Sequence, residues 1–132
     1  MSRLLLAAFV WIAATLPSLA QSDPNDVIGA QIEAFRADDF GTAFTFAAPG
    51  IKQLFGTPEN FGRMVRQGYP MVWRPAEVRY GARELRGATV LQRVIITDAE
   101  GRLHTLLYQM VPLGESWQIA GVQILREPDV GA

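Results

Sequence analysis

Apolar positions recur with a helical period in the first half of the chain and alternate in the second half. Ile28, Ile32 and Phe35 stand at i, i+4 and i+7, which is one stripe of a helix over 26–38. Asp23 or Asn25 can cap it, with Pro24 close to its start. Phe40, Ala43, Phe44 and Ala47 share a face of a second, shorter helix over 39–48, ended by Pro49-Gly50. Ile51 to Phe55 reads as one further turn, stopped by Gly56. Thr57-Pro58 then opens a third helix running to Gln67. Thr57 is its cap, Pro58 takes the first helical position, and Asn60 stands where a capping box carries Glu or Gln. Phe61, Met64 and Val65 form its apolar stripe, and Gly68-Tyr69-Pro70 closes it.

From there the period changes to two. Residues 77–85, 89–98, 103–111 and 117–125 read as strands, joined by Arg86-Gly87, Ala99-Glu100-Gly101 and Pro112 to Glu115. Asp98 and Gly101 occupy the first and fourth places of a type I turn, with Gly101 free to take the left-handed conformation of a bulge. Helices first and a run of antiparallel strands afterwards is an α+β arrangement, with the helices on one face of a meander of about four strands. Pro128 to Ala132 is expected to fray.

The N-terminus changes the picture of where the chain works. Arg3 precedes an apolar run from Leu4 to Leu16 that is too short for a bilayer-spanning helix. Ser18 and Ala20 fit the −3 and −1 positions of a signal-peptidase site. Residues 1–20 are therefore expected to be a signal peptide and residues 21–132 a single domain, periplasmic or secreted and off the membrane once cleaved. An uncleaved N-terminal anchor is the alternative.

Charge and side-chain inventory exclude more than they select. The chain carries 12 basic and 13 acidic residues, a net charge of −1, which does not favour nucleic acid as a partner. Arg63, Arg66, Arg74, Arg79, Arg83, Arg86 and Arg93 cluster in sequence, either as a solvated face or as an anion-binding patch. There is no cysteine, so disulfides, thiolate metal sites and thiol chemistry are all excluded. The single histidine, His104, cannot build a histidine metal site, and no calcium-loop spacing is present. Beyond residue 20 the serines are Ser22 and Ser116, and their spacing to His104 supports no hydrolase triad. Lys52 is the one lysine, and no glycine-rich phosphate loop exists. Neither a metal nor a cofactor is expected.

Several separated segments carry a likeness. Ala34 to Asp39 at a helix end, followed by helical chain and long strands finishing in Trp117-Gln118-Ile119-Ala120-Gly121-Val122, resembles the nuclear transport factor 2-like cone. Phe35 to Asp39, Leu54 to Pro58, Phe61 to Val65, Gly68-Tyr69-Pro70 and Gln92-Arg93-Val94 resemble short exported proteobacterial proteins grouped as domain of unknown function 4864. The resemblance implies a cystatin-like cone: N-terminal helices packed on a curved antiparallel sheet. Its superfamily holds ketosteroid isomerase, dehydratases and non-catalytic modules, so the fold alone selects no activity.

If Asp98 pairs with Arg102, Val90, Gln92, Val94 and Ile96 face Met110, Tyr108, Leu106 and His104. An amide opposite a phenol among apolar neighbours can orient a small ligand, and Gln92, Tyr108, Tyr69 and Met110 are the candidate ligand-binding residues. Alternatively Gln92 and Tyr108 satisfy each other, or a helix-end backbone group, inside a plain core. Asp38 and Asp39 are the candidate catalytic carboxylates, with helix capping as the competing role. Tyr69 and Trp73 are expected at the pocket mouth or a dimer contact, Trp117 in the core and His104 solvated at the rim.

Three functions stand in competition. The first is a non-catalytic exported module binding a small apolar molecule or a protein, with a homodimer through the sheet as one form. The second is an isomerase- or dehydratase-like enzyme using Asp38 or Asp39 with Tyr108 or Tyr69. The third is a structural envelope protein.

Overall fold

Five helices come first: α1 (Pro24–Arg36), α2 (Phe40–Thr45), α3 (Pro49–Phe55), α4 (Pro58–Gly68) and α5 (Pro70–Trp73). Four strands follow: β1 (Glu77–Arg86), β2 (Thr89–Thr97), β3 (Leu103–Leu113) and β4 (Ser116–Leu125). This computed structural model describes residues 22–126, and the expected leader over 1–20 and tail from Pro128 lie outside them. Among the described residues no helix is long and apolar enough to cross a membrane.

Short polar side chains set where the helices begin. Asp23 accepts the Asn25 backbone N–H at 2.9 Å, and Asp39 accepts the Thr42 backbone N–H at 3.1 Å. The Thr57 hydroxyl accepts the Asn60 N–H at 3.2 Å. Asn60 does not close a capping box; its Nδ2 donates to the Phe55 carbonyl at 3.0 Å and covers the end of α3 instead.

The sequence pattern ends the helical region at Gly68-Tyr69-Pro70, yet α5 adds one more turn. Pro70 begins it with its φ already near the helical value, and the Tyr69 carbonyl accepts the Val72 and Trp73 N–H groups at 2.9 and 3.2 Å. Trp73 is half-buried and tied to the end of α1. Its indole N–H donates to Asp38 at 2.9 Å, and the Arg74 guanidinium stacks 4.3 Å above its ring. Arg74 also reaches the Phe35 carbonyl at 3.0 Å and Asp38 at 2.8 Å, so it satisfies the C-terminal end of α1.

The sheet runs in the order β1-β2-β3-β4, antiparallel throughout. Its central hairpin closes at Asp98, whose N–H donates to the Arg102 carbonyl at 2.9 Å, and Gly101 takes φ +82°. That turn fixes the register Val90 with Met110, Gln92 with Tyr108, Val94 with Leu106 and Ile96 with His104. Val94, Ile96, Leu106 and Met110 on this inner face pack with Ile28, Ile32 and Phe35 of α1 in one buried core. Trp117 is half-buried against the core, with its N–H on the Ser22 carbonyl at 3.0 Å. The outer face is mixed, with half-buried Leu91, Ile95, Leu107 and Val111 beside exposed Arg93 and Gln109.

Two bulges bend the meander, one in β1 between Tyr80 and Arg83 and one between β3 and β4 at Gln109 and Met110.

The closing turn is also acid-sensitive. Asp98 is held below the ordinary carboxylate range, first by His104, whose Nε2 lies 2.8 Å from Oδ2, and then by the Arg102 and Glu100 N–H groups. His104 sits at the rim as a half-buried partner of this carboxylate. A carboxyl lowered on folding contributes stability above its unfolded pKa, and that contribution is lost as pH falls through the folded value. Asp23, Asp38 and Asp39 are lowered as well. Urea unfolding across a pH series is therefore expected to show stability falling below about pH 4, with a shallower acid limb in Asp98→Asn.

Candidate functional site

The helices do not cover the sheet completely. α3 buries none of its residues, although its Ile51 and Phe55 pack at the edge of the core. The linker after α2 runs alongside β4: the Ile119 N–H donates to the Phe46 carbonyl and the Ala48 N–H to the Ile119 carbonyl, both at 2.8 Å. This pairing holds α3 at the sheet edge, and a cavity of about 380 Å³ opens between the two layers. Its helical wall is Gln31 and Phe35 of α1, Ile51, Leu54 and Phe55 of α3, and Phe61, Met64 and Val65 of α4, with Tyr69 and Val72. Ala47, Tyr108 of β3 and Ile119 to Val122 of β4 complete it. Leu54 is 75% exposed at its edge.

Three lining residues carry polar side-chain atoms. The Gln31 amide N–H donates to the Ala43 carbonyl at 3.1 Å. The Tyr69 hydroxyl donates to the Val122 carbonyl at 3.2 Å, tying the end of α4 to β4. The Tyr108 hydroxyl is buried and has no hydrogen-bond partner. Burial pushes its pKa far above the ordinary phenol value, reinforced by Tyr80 and Tyr69, so the group is a neutral O–H donor.

A family model described as Domain of unknown function (DUF4864) matches residues 19–132. The chain belongs to the DUF4864 family. This DUF4864 chain matches no curated protein. Its fold is similar to that of a SEC-C motif-containing protein from Rhodopseudomonas palustris (TM-score 0.59, 15% identity, 83% of this chain and 82% of that one). It is also similar to a Campylobacter jejuni protein described as an NTF2-like transpeptidase (TM-score 0.57, 9% identity, 75% of this chain and 98% of that one). Identities this low carry the fold alone, an α+β arrangement of helices on an antiparallel sheet.

The residues singled out in the DUF4864 sequence fall in four places. Tyr69 and Tyr108 line the cavity. Met110 is fully buried in the core, paired with Val90 and Ile119, and does not line it. Gln92 stands opposite Tyr108 in register, but its amide turns away toward β1. There its Nε2 donates to the Gly81 carbonyl at 3.0 Å and the Arg93 carbonyl at 2.9 Å, while its Oε1 accepts from Arg83 Nε at 2.8 Å. Gln92 thus satisfies the backbone that the β1 bulge leaves unpaired. Asp38 and Asp39 are exposed in a surface groove with Arg63 and Arg66, separate from the cavity. Asp38 holds Trp73 and Arg74, and Asp39 caps α2. Among the described residues no cluster of His, Cys, Asp or Glu could hold a metal ion.

The cavity wall on α3 and α4 was outside the sequence-derived set. Phe61 and Met64 read as a core stripe, and they are one; the stripe carries no sign that one of its sides faces empty volume.

Proposed function

We propose that this DUF4864 protein binds a small apolar molecule in the cavity between its helices and its sheet. The observation that carries the reading is the cavity itself, about 380 Å³ with a wall built mainly from aliphatic and aromatic side chains. Volumes of roughly 300–1,000 Å³ with apolar walls and few polar groups are usual for small-molecule sites. Binding without catalysis is the form the lining supports. A general acid or base must lie within hydrogen-bond reach of the reacting atom, and no lining side chain carries a carboxylate, imidazole or amine; of the two phenols, Tyr69 is engaged on the Val122 carbonyl and Tyr108 is fully buried with its pKa pushed up. The leader-like pattern of residues 1–20 supports export, with the binding taking place in the periplasm or outside the cell.

The neutral fluorophore N-phenyl-1-naphthylamine tests this reading. The wild-type protein is expected to bind it saturably, with enhanced emission. Ala120 is the smallest side chain that β4 contributes to the wall apart from Gly121, and it is half-buried. Ala120→Phe fills part of the volume and is expected to weaken binding at least about tenfold, since apolar contact area is the main driving term. No saturable binding by folded wild-type protein, or unchanged binding by a folded Ala120→Phe, would sink the reading.

A further inference from the structure

The two edges of the sheet differ. β4 is partly covered, by the linker paired at Ile119 and by the Tyr69 hydroxyl on the Val122 carbonyl. β1 is open: among the described residues β2 is the only strand that pairs with it, and all of its residues but Val78 are exposed. We infer that this edge is self-complementary: two copies of the chain pair β1 with β1, antiparallel about a two-fold axis, and join their meanders into one eight-stranded sheet.

The order of charges carries the inference. β1 reads Glu77-Val78-Arg79-Tyr80-Gly81-Ala82-Arg83-Glu84-Leu85-Arg86. With the axis between Gly81 and Ala82, Glu77 lies opposite the partner's Arg86, Val78 opposite the partner's Leu85, and Arg79 opposite the partner's Glu84. Symmetry makes each of these pairs occur twice. Tyr80 falls opposite the partner's Arg83, so no like charges stand directly opposite. A slip of two residues destroys the match, because it sets Glu77 against the partner's Glu84 or Arg79 against the partner's Arg86. Charges on an edge strand commonly repel a second strand. Here they reject the slipped registers and admit one. Within one copy Arg79 lies 3.9 Å from Glu77, and Arg86 lies 3.2 Å from Glu84. Pairing merges these exposed ion pairs into two clusters of alternating sign.

The bulge in β1 makes the two faces agree. Val78, Tyr80, Arg83 and Leu85 pair with Ile96, Val94, Gln92 and Val90 on the inner face, whereas Glu77, Arg79, Glu84 and Arg86 pair with outer-face residues of β2. In a regular strand the same antiparallel match would bring residues of opposite faces together. The extra residue between Tyr80 and Arg83 shifts the alternation at the axis, so the charge pairs all fall outside and the apolar pairs inside. Leu85, 70% exposed although it stands on the inner face, gains an apolar partner. No residue of β1 lines the cavity, so this interface stands or falls independently of ligand binding.

Sedimentation equilibrium of the wild-type protein is expected to show a monomer–dimer equilibrium at concentrations up to about 1 mM. Arg79→Glu and Glu84→Arg each set like charges opposite one another twice, and each is expected to weaken the dimer at least about tenfold. Both side chains are more than half exposed, so both variants are expected to fold as wild type does, which circular dichroism checks. Combined in one chain, the two changes restore pairs of opposite sign and should return the affinity to near the wild-type value. An equimolar mixture of the two single variants should also associate, as a heterodimer. A protein that stays monomeric throughout, a dimer indifferent to either single change, or a double variant as weak as the singles would each overturn the inference.

Discussion

Phe61→Ala is expected to lower the unfolding free energy by about 3–5 kcal/mol, the usual cost of emptying a buried phenylalanine site. Phe61 is 5% exposed and is the one ring that meets Phe35 of α1 (5.9 Å between centroids), Phe44 of α2 (5.2 Å) and Phe55 of α3 (5.9 Å). Three helices therefore lean on a side chain supplied by the fourth. The rings meet at 36°, 40° and 61° and none stacks face to face, as the aromatic quadrupole favours. Neighbouring helices cannot all close on the vacated space, because α3 is fixed to β4 by the backbone pairing at Ala47 and Ile119. In thermal unfolding the loss corresponds to a fall of roughly 12 °C or more for a domain of this size. Phe61 also lines the cavity, so the variant enlarges it. The measurement is urea unfolding of both proteins, and a loss under about 1 kcal/mol would show that the aromatic cluster does not hold the helices together.

Gln92→Met is expected to cost about 1–3 kcal/mol, although methionine matches glutamine in length and is more apolar. Gln92 is 1% exposed, and its loss takes the donor away from the Gly81 and Arg93 carbonyls. Arg83 loses its partner too, but it is partly exposed and still has Asp23 at 2.7 Å. The donors of Gln92 matter most, which makes Gln92→Glu the informative companion. Ionised glutamate could still accept from Arg83, but it would present lone pairs to two carbonyls. It is expected to be no more stable than Gln92→Met at pH 7 and to recover part of the loss in acid, where a protonated carboxyl can donate. Urea unfolding at pH 7 and pH 5 separates these outcomes. Near-wild-type stability of Gln92→Met would mean that the β1 bulge does not depend on this side chain.

The strands were readable because alternation is a dense signal. Each of the four begins and ends within two residues of the position its pattern indicated, and the Asp98–Gly101 turn fixed the register that sets Gln92 beside Tyr108. The helices α1 and α4 were readable from their stripes and caps. α5 was not, since four residues are too few to show a period, and a proline after Gly68-Tyr69 reads as a stop. The direction of the Gln92 amide follows from the bulge at Gly81 and Ala82. A glycine inside a strand pattern was the available sign of that bulge. The cavity itself has no sequence signature. Its walls are ordinary core residues, and the gap lies toward edge strand β4, where α3 is held at the sheet edge. Asp38 and Asp39 show the opposite case: adjacent carboxylates invite a catalytic reading, while their hydrogen bonds hold Trp73, Arg74 and the start of α2.

The central claim is that the cavity holds a ligand. Its most direct test is a crystal structure of the protein purified, without unfolding, from the cells that make it. The account expects an ordered, apolar molecule between Phe61 and Val122, packed against the aliphatic and aromatic wall. A cavity closed by Phe55 and Met64 turning inward, with no molecule in it, would contradict it.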